Sequence, residues 1–302
     1  MGTSASVPVI AVVGPTAAGK SDLAVSLARA LGDEIGSDVV NADSMQLYRG
    51  MDIGTAKLTE PERGGVAHHL LDVWPVTRTA TAADYQHLCR SVLDELLVAG
   101  RKPVVVGGSG LYLRAALDEL DFPGTDPELR MTLESELARD GARALHARLT
   151  ALDPRAATRM EPTNGRRVVR ALEVVTLTGS MPGALRSYDG HYETSYLGID
   201  RPDLAERIEG RVDRMWTCGL VDEVRRLEGQ GLREGVTASR ALGYAQVLGA
   251  LDGRWDEPQA RALTVTATRR FARRQRAWFR RDPRVHWLDP DRPLLAQARA
   301  LL

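Results

Sequence analysis

The sequence predicts an α/β protein: a P-loop, doubly wound parallel sheet with a helical insertion domain. Three observations support this fold class. Short apolar runs alternate with helix-like segments, as expected for parallel strands joined by helical crossovers. The first apolar run leads directly into a glycine-rich loop and then into a helix-like segment. Over residues 122–190, helical patterns follow one another without strands, which indicates an insertion.

The glycine-rich loop has the spacing of a P-loop. It reads Gly14-Pro15-Thr16-Ala17-Ala18-Gly19-Lys20-Ser21, between a predicted strand at Val7–Val13 and a predicted helix at Gly19–Leu31 that ends at Gly32. Such a loop presents backbone N–H groups and a helix N-terminus to phosphate. Lys20 would bring a positive charge to the terminal phosphate, and Ser21 would ligate Mg²⁺. The loop therefore predicts a phosphate- or diphosphate-bearing ligand without specifying which.

The remaining elements follow from apolar periodicity and capping residues. Strands are expected at Asp38–Ala42, Pro103–Val106, Thr194–Ile199 and Val285–Leu288. Helices are expected at Thr81–Ala99, Leu111–Asp118, 127–139, 141–150, 164–178, 202–217, 219–229, 237–251 and 257–281, with a loop at Gly179–Gly190. We therefore expect a catalytic core formed by 1–121 and 191–302, and a helical domain at 122–190.

Composition and charge narrow the class of protein. The 302 residues are 43% hydrophobic and 26% charged, which is ordinary for a soluble globular protein. No apolar run approaches about 18 residues, so we expect no membrane span, and the two distant cysteines fit free thiols in a reducing cytoplasm. The net charge is zero, yet residues 201–302 hold 20 Lys and Arg against 14 Asp and Glu. A polyanion is expected to bind this C-terminal third.

Two loops that follow predicted strands carry further candidate residues. Asp43 comes just after a strand, at the edge where open α/β sheets bind ligands. It could be a general base, a Mg²⁺ ligand or a turn-forming aspartate. The strand Pro103–Val106 leads into Gly107–Gly110 and lacks the carboxylate common after this strand in P-loop ATPases. Ser109 in this segment could supply a hydroxyl to the site, cap the next helix, or do both.

Three groups of arginines are candidate anion sites. Arg207, Arg211 and Arg214 share one helix face, where one of them would stabilise a departing diphosphate. A second group crowds a helix N-terminus, where the helix dipole disfavours positive charge; its members are Arg166, Arg167 and Arg170. The predicted helix 257–281 carries Arg269, Arg270, Arg273, Arg274, Arg276, Arg280 and Arg281. We expect nucleic acid on that helix, and a solvated basic face is the alternative.

The whole pattern resembles one family, the tRNA dimethylallyltransferases. The resemblance is carried by the P-loop, Asp43-Ser44, Tyr48–Lys57, Val106–Tyr112, Arg170–Val174, Arg240 with Gly243-Tyr244, and Arg273–Phe279. Its most specific part is Asp52-Ile53-Gly54-Thr55-Ala56-Lys57. There are two departures: Ser109 stands where the family commonly has threonine, and the chain stops at Leu302 without the zinc finger of eukaryotic members. The resemblance therefore implies a bacterial-type member.

This resemblance implies transfer of a dimethylallyl group from dimethylallyl diphosphate to N6 of the adenosine immediately 3′ to a tRNA anticodon. It implies that Asp43 accepts the N6 proton and that Lys20, Arg211 and Ser109 are also catalytic. The P-loop residues Gly14, Pro15, Thr16, Ala17, Ala18, Gly19, Lys20 and Ser21 would hold the diphosphate with Mg²⁺. The expected tRNA contacts are Asp43, Ser44, Met45, Gln46, Ser109, Arg130, Arg166, Arg167, Val168, Val169, Arg170, Arg240, Ala241, Leu242, Gly243, Tyr244, Ala245, Arg273 and Arg274. We expect a cytoplasmic monomer.

Two other classes of protein stay open at this point. One is a small-molecule or nucleotide kinase that uses the same P-loop, and phosphoryl transfer from ATP would support it. The other is a non-enzymatic RNA-binding P-loop protein, which RNA binding without turnover would support.

Overall fold

The computed structural model describes residues 9–181 and 187–302, and the side chains of 33–35 are not described. The chain divides into two compact units. The core unit comprises Met1–Glu119 and Asp189–Leu302, and the helical unit comprises Leu120–Tyr188. Two parts of the sequence predictions lie outside the described residues: the start of the first strand at Val7, and 182–186 of the predicted loop.

The described part of the core unit contains a six-stranded sheet in which all neighbouring strands are parallel. Its strands are β1 (Val9–Val13), β2 (Ser37–Asn41), β3 (His68–His69), β4 (Lys102–Gly107), β5 (Thr194–Ile199) and β6 (Val285–Leu288). Their spatial order is β3-β2-β4-β1-β5-β6. The predicted α/β fold with a doubly wound parallel sheet is confirmed. The edge strand β3 was not predicted, because two residues are too few to show an alternating pattern.

The register of the central strands places three loops at one edge of the sheet. Val13 at the end of β1 is aligned with Gly107 on β4, and Asn41 at the end of β2 is aligned with Val106. Because these strands are parallel, the chain leaves all three at the same edge. The P-loop follows β1, Asp43 follows β2 and Ser109 follows β4, so the topology brings these segments together.

Helices occupy the connections. The core unit begins with α1 (Lys20–Ile35), α2 (Ala82–Val98) and α3 (Gly110–Leu117). The helical unit contains α4 (Pro127–Asp140), α5 (Ala142–Leu152), α6 (Pro154–Ala157) and α7 (Gly165–Thr178). The core unit continues with α8 (Leu204–Thr217), α9 (Leu220–Glu228), α10 (Tyr244–Leu251), α11 (Glu257–Phe279) and α12 (Leu294–Ala300). A short 3₁₀ turn at Ala238–Arg240 precedes α10. The short helices α6 and α12 were not predicted.

Two of the helix predictions were wrong in extent. Helix α1 runs through Gly32 and ends before Gly36, which has a φ of +75°. A glycine inside a helix costs only about 1 kcal/mol, which the packing of α1 on the sheet outweighs. The single helix predicted at 237–251 is instead the 3₁₀ turn followed by α10. Gly243 has a φ of +87° and interrupts the helix there.

The central strand β1 packs on both faces. Ile10 and Val12 lie in a cluster with residues of α1, whereas Val9, Ala11 and Val13 lie in another cluster with residues of α2, α3 and α9. Successive side chains of a strand point to opposite faces, so a strand covered on both sides reads as an uninterrupted apolar run. Within the described residues, no helix is long and apolar enough to cross a membrane.

Candidate functional site

The P-loop connects β1 to α1 in a conformation that depends on its glycines. Gly14 has a φ of +143°, and a Cβ there would overlap the carbonyl oxygen of Ile199, so only glycine fits. Ala17 also has a positive φ, +65°. The Nζ of Lys20 donates to the carbonyl of Pro15 at 2.7 Å, which folds the side chain back over the loop. The predicted P-loop residues therefore form one curled segment around a single ammonium group.

Lys20, Arg211 and Asp43 influence one another electrostatically. The pKa of Lys20 is lowered from 10.5 to about 8: burial has the largest effect, the nearby Arg211 also lowers the pKa, and Asp43 raises it. Burial also lowers the pKa of Arg211, again opposed by Asp43. Two desolvated cations close together are a poor arrangement by themselves, and a bound anion would relieve their repulsion. The electrostatics of this group are thus suited to a phosphate-bearing ligand.

A cavity of about 780 Å³ opens beside the P-loop, and we call it the P-loop cavity. It is lined by Lys20 and Ser21 and by the three arginines predicted to share a face of α8, Arg207, Arg211 and Arg214. The Nε of Arg207 also donates to a P-loop carbonyl, that of residue 17, at 2.8 Å. All three arginines therefore face the place where the sequence predicted an anion.

A second cavity, of about 590 Å³, lies at the Asp43 side of the same edge, and we call it the Asp43 cavity. Aromatic side chains line it together with the predicted site residues; the lining includes Asp43, Ser44, Met45, Ser109, Tyr112, Arg240, Ala241, Leu242, Phe271, Arg274 and Trp278. Arg211 and Met215 line both cavities. Arg211 therefore stands where the cationic P-loop cavity meets the partly aromatic Asp43 cavity.

Asp43 uses one of its two carboxylate oxygens for the backbone. Its Oδ1 accepts from the N–H of Met45 at 2.9 Å, and its own N–H donates to Asn41 Oδ1 at 2.9 Å. The turn-forming role is therefore present. Oδ2 makes no hydrogen bond within the described residues, and Asp43 lines the cavity. One oxygen is thus available to accept a proton.

Ser109 occupies the N-cap position of α3, but its side chain does not cap that helix. Its Oγ lies 3.4 Å from both the backbone nitrogen and the Oγ of Ser44, the residue after Asp43. The helix-cap alternative for its hydroxyl was therefore wrong. The hydroxyl instead joins the loop after β4 to the loop that carries Asp43.

Gln275 fixes two of these loops, and the sequence reasoning missed it. Its Oε1 accepts from the N–H of Thr16 in the P-loop at 2.9 Å, and its Nε2 donates to the carbonyl of Gly108 at 2.8 Å. It lies among arginines on α11, and the sequence analysis assigned it no role. Its spacing of four from both Phe271 and Phe279 was the available signal, because such residues share a helix face.

Residues 52–57, the segment with the most specific family resemblance, hold Arg211 in place. The carbonyl of Thr55 accepts from Arg211 Nη2 at 3.0 Å. Two residues further on, the buried Lys57 donates to Asp52 at 2.7 Å, to Asp72 at 2.6 Å and to a backbone carbonyl. This polar loop is therefore held by ion pairs beneath the P-loop cavity.

Not every expected tRNA contact of the core unit lies at the Asp43 cavity. Gln46, Gly243, Tyr244, Ala245 and Arg273 do not line it. Tyr244 is fully buried, and its hydroxyl donates to Glu223 at 2.6 Å. Tyr244 is therefore a core residue, and its contact with tRNA stays a prediction. Gln46 also has an internal partner, since its Nε2 donates to the carbonyl of Thr55 at 3.2 Å.

Several arginines of α11 are neutralised within the protein. The ion pairs join Arg269 to Glu209, and Arg276 and Arg280 to Asp200. Arg273 is exposed and makes no ion pair among the described residues, and the guanidinium of Arg274 lies 5.8 Å from the ring centre of Phe271. Among the described residues of α11, Arg270, Arg273 and Arg274 are therefore the exposed arginines without an ion pair, and nucleic-acid binding on this helix stays a prediction.

Four of the six predicted tRNA contacts in the helical unit have structural roles. Val168 and Val169 are buried in its apolar core, and their contact with tRNA stays a prediction. Arg130 and Arg170 form ion pairs with the buried Glu173. Burial raises the pKa of Glu173, but these two arginines hold it below its usual value. The remaining two, Arg166 and Arg167, are exposed on α7 and make no ion pair within the described residues.

The fold and this loop geometry define a P-loop α/β protein with a cationic cavity that joins a second, partly aromatic one. A family model described as IPP transferase matches residues 46–282. The chain belongs to this family, and the family resemblance in the sequence is confirmed. The solved structures described next share its fold.

The relatives cover nearly the whole chain. A tRNA dimethylallyltransferase from Thermobifida fusca is 63% identical over 299 residues, covering 97% of this chain and 94% of the relative. The crystal structure of the tRNA isopentenylpyrophosphate transferase from Bacillus halodurans has a TM-score of 0.70 and 38% identity, covering 97% of this chain and 94% of that one. A eukaryotic dimethylallyltransferase acting on tRNA has a TM-score of 0.79 and 25% identity, covering 93% of this chain and 73% of that chain.

Proposed function

We propose that this member of the IPP transferase family is a tRNA dimethylallyltransferase. It transfers the dimethylallyl group of dimethylallyl diphosphate to N6 of the adenosine immediately 3′ to the anticodon. The observation that carries the proposal is the meeting of two cavities at Arg211, one with Lys20 and the P-loop, the other with Asp43. The diphosphate lies in the P-loop cavity, and the adenine enters the Asp43 cavity after leaving its stack.

The chemical step requires help mainly at the leaving group. The lone pair of N6 is delocalised into the adenine ring, so N6 is a weak nucleophile. It attacks C1 of the dimethylallyl group, the C1–O bond breaks, and the bonding electrons leave with the diphosphate. Lys20, Arg211 and the P-loop N–H groups stabilise the negative charge that accumulates there, and such preorganised donors are often the largest catalytic contribution.

The proton lost by N6 goes to Asp43. Its Oδ1 is held by the backbone N–H of Met45, which fixes the orientation of the carboxylate, and Oδ2 is the oxygen without a hydrogen bond in the described residues. The Ser109 hydroxyl, next to Ser44, provides a hydrogen bond at the same wall of the cavity. Asp43 is thus the general base, and Ser109 orients the substrate beside it.

Mg²⁺ is the expected cofactor, held jointly by the Ser21 hydroxyl and the diphosphate. Among the described residues, no group of three or more His, Cys, Asp or Glu side chains is placed to hold a metal. This donor set fits Mg²⁺, which keeps several waters and is commonly bound through substrate phosphates with one or two protein ligands. When bound, the ion neutralises charge on the departing diphosphate.

The tRNA is proposed to contact exposed arginines of both units. In the core unit these are Arg240, Arg270, Arg273 and Arg274, and in the helical unit Arg166 and Arg167. A tRNA substrate places the proposed activity in the cytoplasm, and we propose that the protein acts there as a monomer.

The direct test combines the protein with radiolabelled dimethylallyl diphosphate, Mg²⁺ and an unmodified tRNA transcript with adenosine 3′ to the anticodon. We expect label in that nucleoside, and none when guanosine replaces the adenosine. Release of labelled prenyl alcohol without label in tRNA would contradict the proposal, and so would phosphoryl transfer from ATP as the sole activity.

The pKa of Lys20 predicts how substrate binding depends on pH. In the free protein Lys20 loses its proton near pH 8, well below its ordinary value of 10.5. The bound diphosphate favours the charged form, so binding above about pH 8 takes up a proton. We expect affinity for dimethylallyl diphosphate to fall as the pH rises from about 7 to 9. Calorimetry at about pH 8.5 in two buffers of different ionisation enthalpy measures the uptake.

The matched variant for this measurement is Lys20→Met. It should bind weakly, with proton uptake at that pH reduced by up to about one proton. Equal uptake by the variant and the wild type would assign the titration to another group.

The exposed arginines of α11 predict a salt effect on tRNA binding. Each neutralised phosphate releases counterions, so tRNA affinity should fall steeply with salt concentration. Replacing Arg273 and Arg274 together with glutamine should weaken tRNA binding and flatten the log–log slope by up to about two units. Binding of dimethylallyl diphosphate should hardly change. The measurement is tRNA affinity at several salt concentrations.

The control variant replaces Arg225 and Arg254 with glutamine and so loses the same charge. Both are exposed arginines that form ion pairs with aspartates. This variant should leave the slope nearly as in the wild type. If the Arg273/Arg274 variant keeps the wild-type slope and affinity, the RNA surface lies elsewhere, and Arg166 and Arg167 become the next residues to replace.

A further inference from the structure

Glu223 on α9 is a fully buried carboxylate with an unusual set of partners. Its two oxygens accept from three consecutive backbone N–H groups, those of Asp52 at 3.1 Å, Ile53 at 2.8 Å and Gly54 at 3.2 Å. The hydroxyl of Tyr244 donates to it at 2.6 Å. A buried charge is costly unless its lone pairs are satisfied, and here four donors satisfy them.

These contacts fix one short stretch of backbone, 52–54, from one side. The Tyr244 ring packs against Gly54, where a Cβ would overlap the ring. The next residue is Thr55, whose hydroxyl donates to the carbonyl of Met51 at 2.6 Å. The direction of the Thr55 carbonyl therefore follows from the conformation that Glu223 imposes.

That carbonyl is what holds Arg211. Arg211 Nη2 donates to it at 3.0 Å, and Arg211 makes no ion pair among the described residues. A long arginine side chain loses considerable rotamer freedom when it is fixed. With no carboxylate to orient its guanidinium, Arg211 depends on the Thr55 carbonyl for its direction. The carbonyl thus orients Arg211 without an ion pair, and Asp43 acts on its charge only at longer range.

We propose that Glu223 is a positioning residue for Arg211, acting through the backbone of 52–55. This inference rests on the proposed function, in which Arg211 stabilises the departing diphosphate. Glu223 keeps its own charge away from the P-loop cavity and uses it to order the loop beneath that cavity. A carboxylate paired directly with Arg211 would orient it too, but would compete with the diphosphate for its charge.

The test is a double-mutant cycle in single-turnover transfer to tRNA, with the variants Glu223→Gln and Arg211→Gln, singly and together. Glutamine keeps the shape of glutamate but turns an N–H₂ group toward backbone donors. In the wild-type background we expect Glu223→Gln to lower the transfer rate roughly ten- to a hundredfold. In the Arg211→Gln background the same change should cost less than about threefold, because residues acting as a unit are not additive.

Controls separate positioning from general damage to the fold. Asp222→Asn removes an exposed carboxylate from the same helix, where it pairs with Arg225, and should leave transfer unchanged. If Glu223→Gln does not fold, Tyr244→Phe is used instead, because it removes one of the four donors to Glu223. We expect Tyr244→Phe to lower the transfer rate by a smaller factor, and that effect should disappear in the Arg211→Gln protein.

The outcomes are distinguishable. If Glu223→Gln lowers the transfer rate by the same factor in the wild-type and the Arg211→Gln proteins, with unchanged thermal stability, the inference is overturned. The proposed function would remain intact. Absence of transfer by the wild-type protein would instead contradict the proposed function, and binding of inorganic diphosphate would then report on the loop. Under the inference, Glu223→Gln weakens diphosphate binding in the wild-type background and has little effect when Arg211 is already glutamine. The same weakening in both backgrounds would overturn it.

Discussion

Replacing Lys20 with methionine is expected to lower dimethylallyl transfer by roughly a thousandfold or more without destabilising the protein. Removal of one preorganised donor to developing negative charge typically costs 10²–10³-fold, and Lys20 contributes a full charge. The effect should fall mainly on kcat, because the charge on the diphosphate grows as the C1–O bond breaks. The measurement is single-turnover transfer at saturating substrate.

The stability part of this expectation follows from the pKa. A pKa lowered from 10.5 to about 8 means that the folded state disfavours the charged amine. At neutral pH the charged amine therefore destabilises the folded state by about 3 kcal/mol. The hydrogen bond from Lys20 to the carbonyl of Pro15 offsets part of this cost. Thermal unfolding of Lys20→Met should therefore occur at the wild-type temperature or above it, as is common when a functional charge is removed.

The other two lysines of the chain provide controls. Lys102 begins β4 and is not part of either cavity, so Lys102→Met should keep both activity and stability. Lys57 is buried between Asp52 and Asp72, so Lys57→Met should lower the melting temperature. A Lys20→Met protein that melts early, or one with near-wild-type turnover, would overturn the assignment of Lys20 to the diphosphate.

How far the sequence predicted the site depended on whether a residue's role was local. The P-loop, Asp43 and Ser109 each follow a strand directly, so strand order and spacing were enough to bring them together. Arg211 was one of three candidates on a helix face, and the helical period cannot choose among them. The family resemblance selected Arg211, and the fold places it at the wall shared by both cavities.

The residues that sequence reasoning missed act over long separations. Gln275 contacts Thr16, 259 positions away in the sequence, and Glu223 contacts 52–54, with 170 positions between Glu223 and Ile53. Apart from the Tyr244 hydroxyl that donates to Glu223, the hydrogen-bond partners named above are backbone groups, which carry no residue-type signal. Val168 and Tyr244 were assigned to tRNA by resemblance, but burial shows that their side chains pack in apolar cores. A family pattern combines residues that touch a substrate with residues that support them, and only burial separates the two.

Replacing Asp43 with asparagine is expected to lower transfer by roughly 10²–10⁴-fold, the usual contribution of a general base. Asparagine retains an oxygen that can accept from the Met45 N–H, so it preserves the turn and should leave the melting temperature nearly unchanged. Asp43→Ala loses both the turn and the base. Transfer by the two variants is therefore compared with their binding of tRNA and of dimethylallyl diphosphate.

If Asp43 takes the proton from N6, both variants lose transfer to a similar extent while Asp43→Asn keeps wild-type stability. The loss should appear in the chemical step, with diphosphate affinity changed far less, because the carboxylate acts on the base and not on the leaving group. If Asp43 only shapes the turn, asparagine should restore most of the activity that alanine removes. High activity of Asp43→Asn beside an impaired Asp43→Ala would therefore reduce Asp43 to a structural residue and leave the acceptor of the N6 proton to be found.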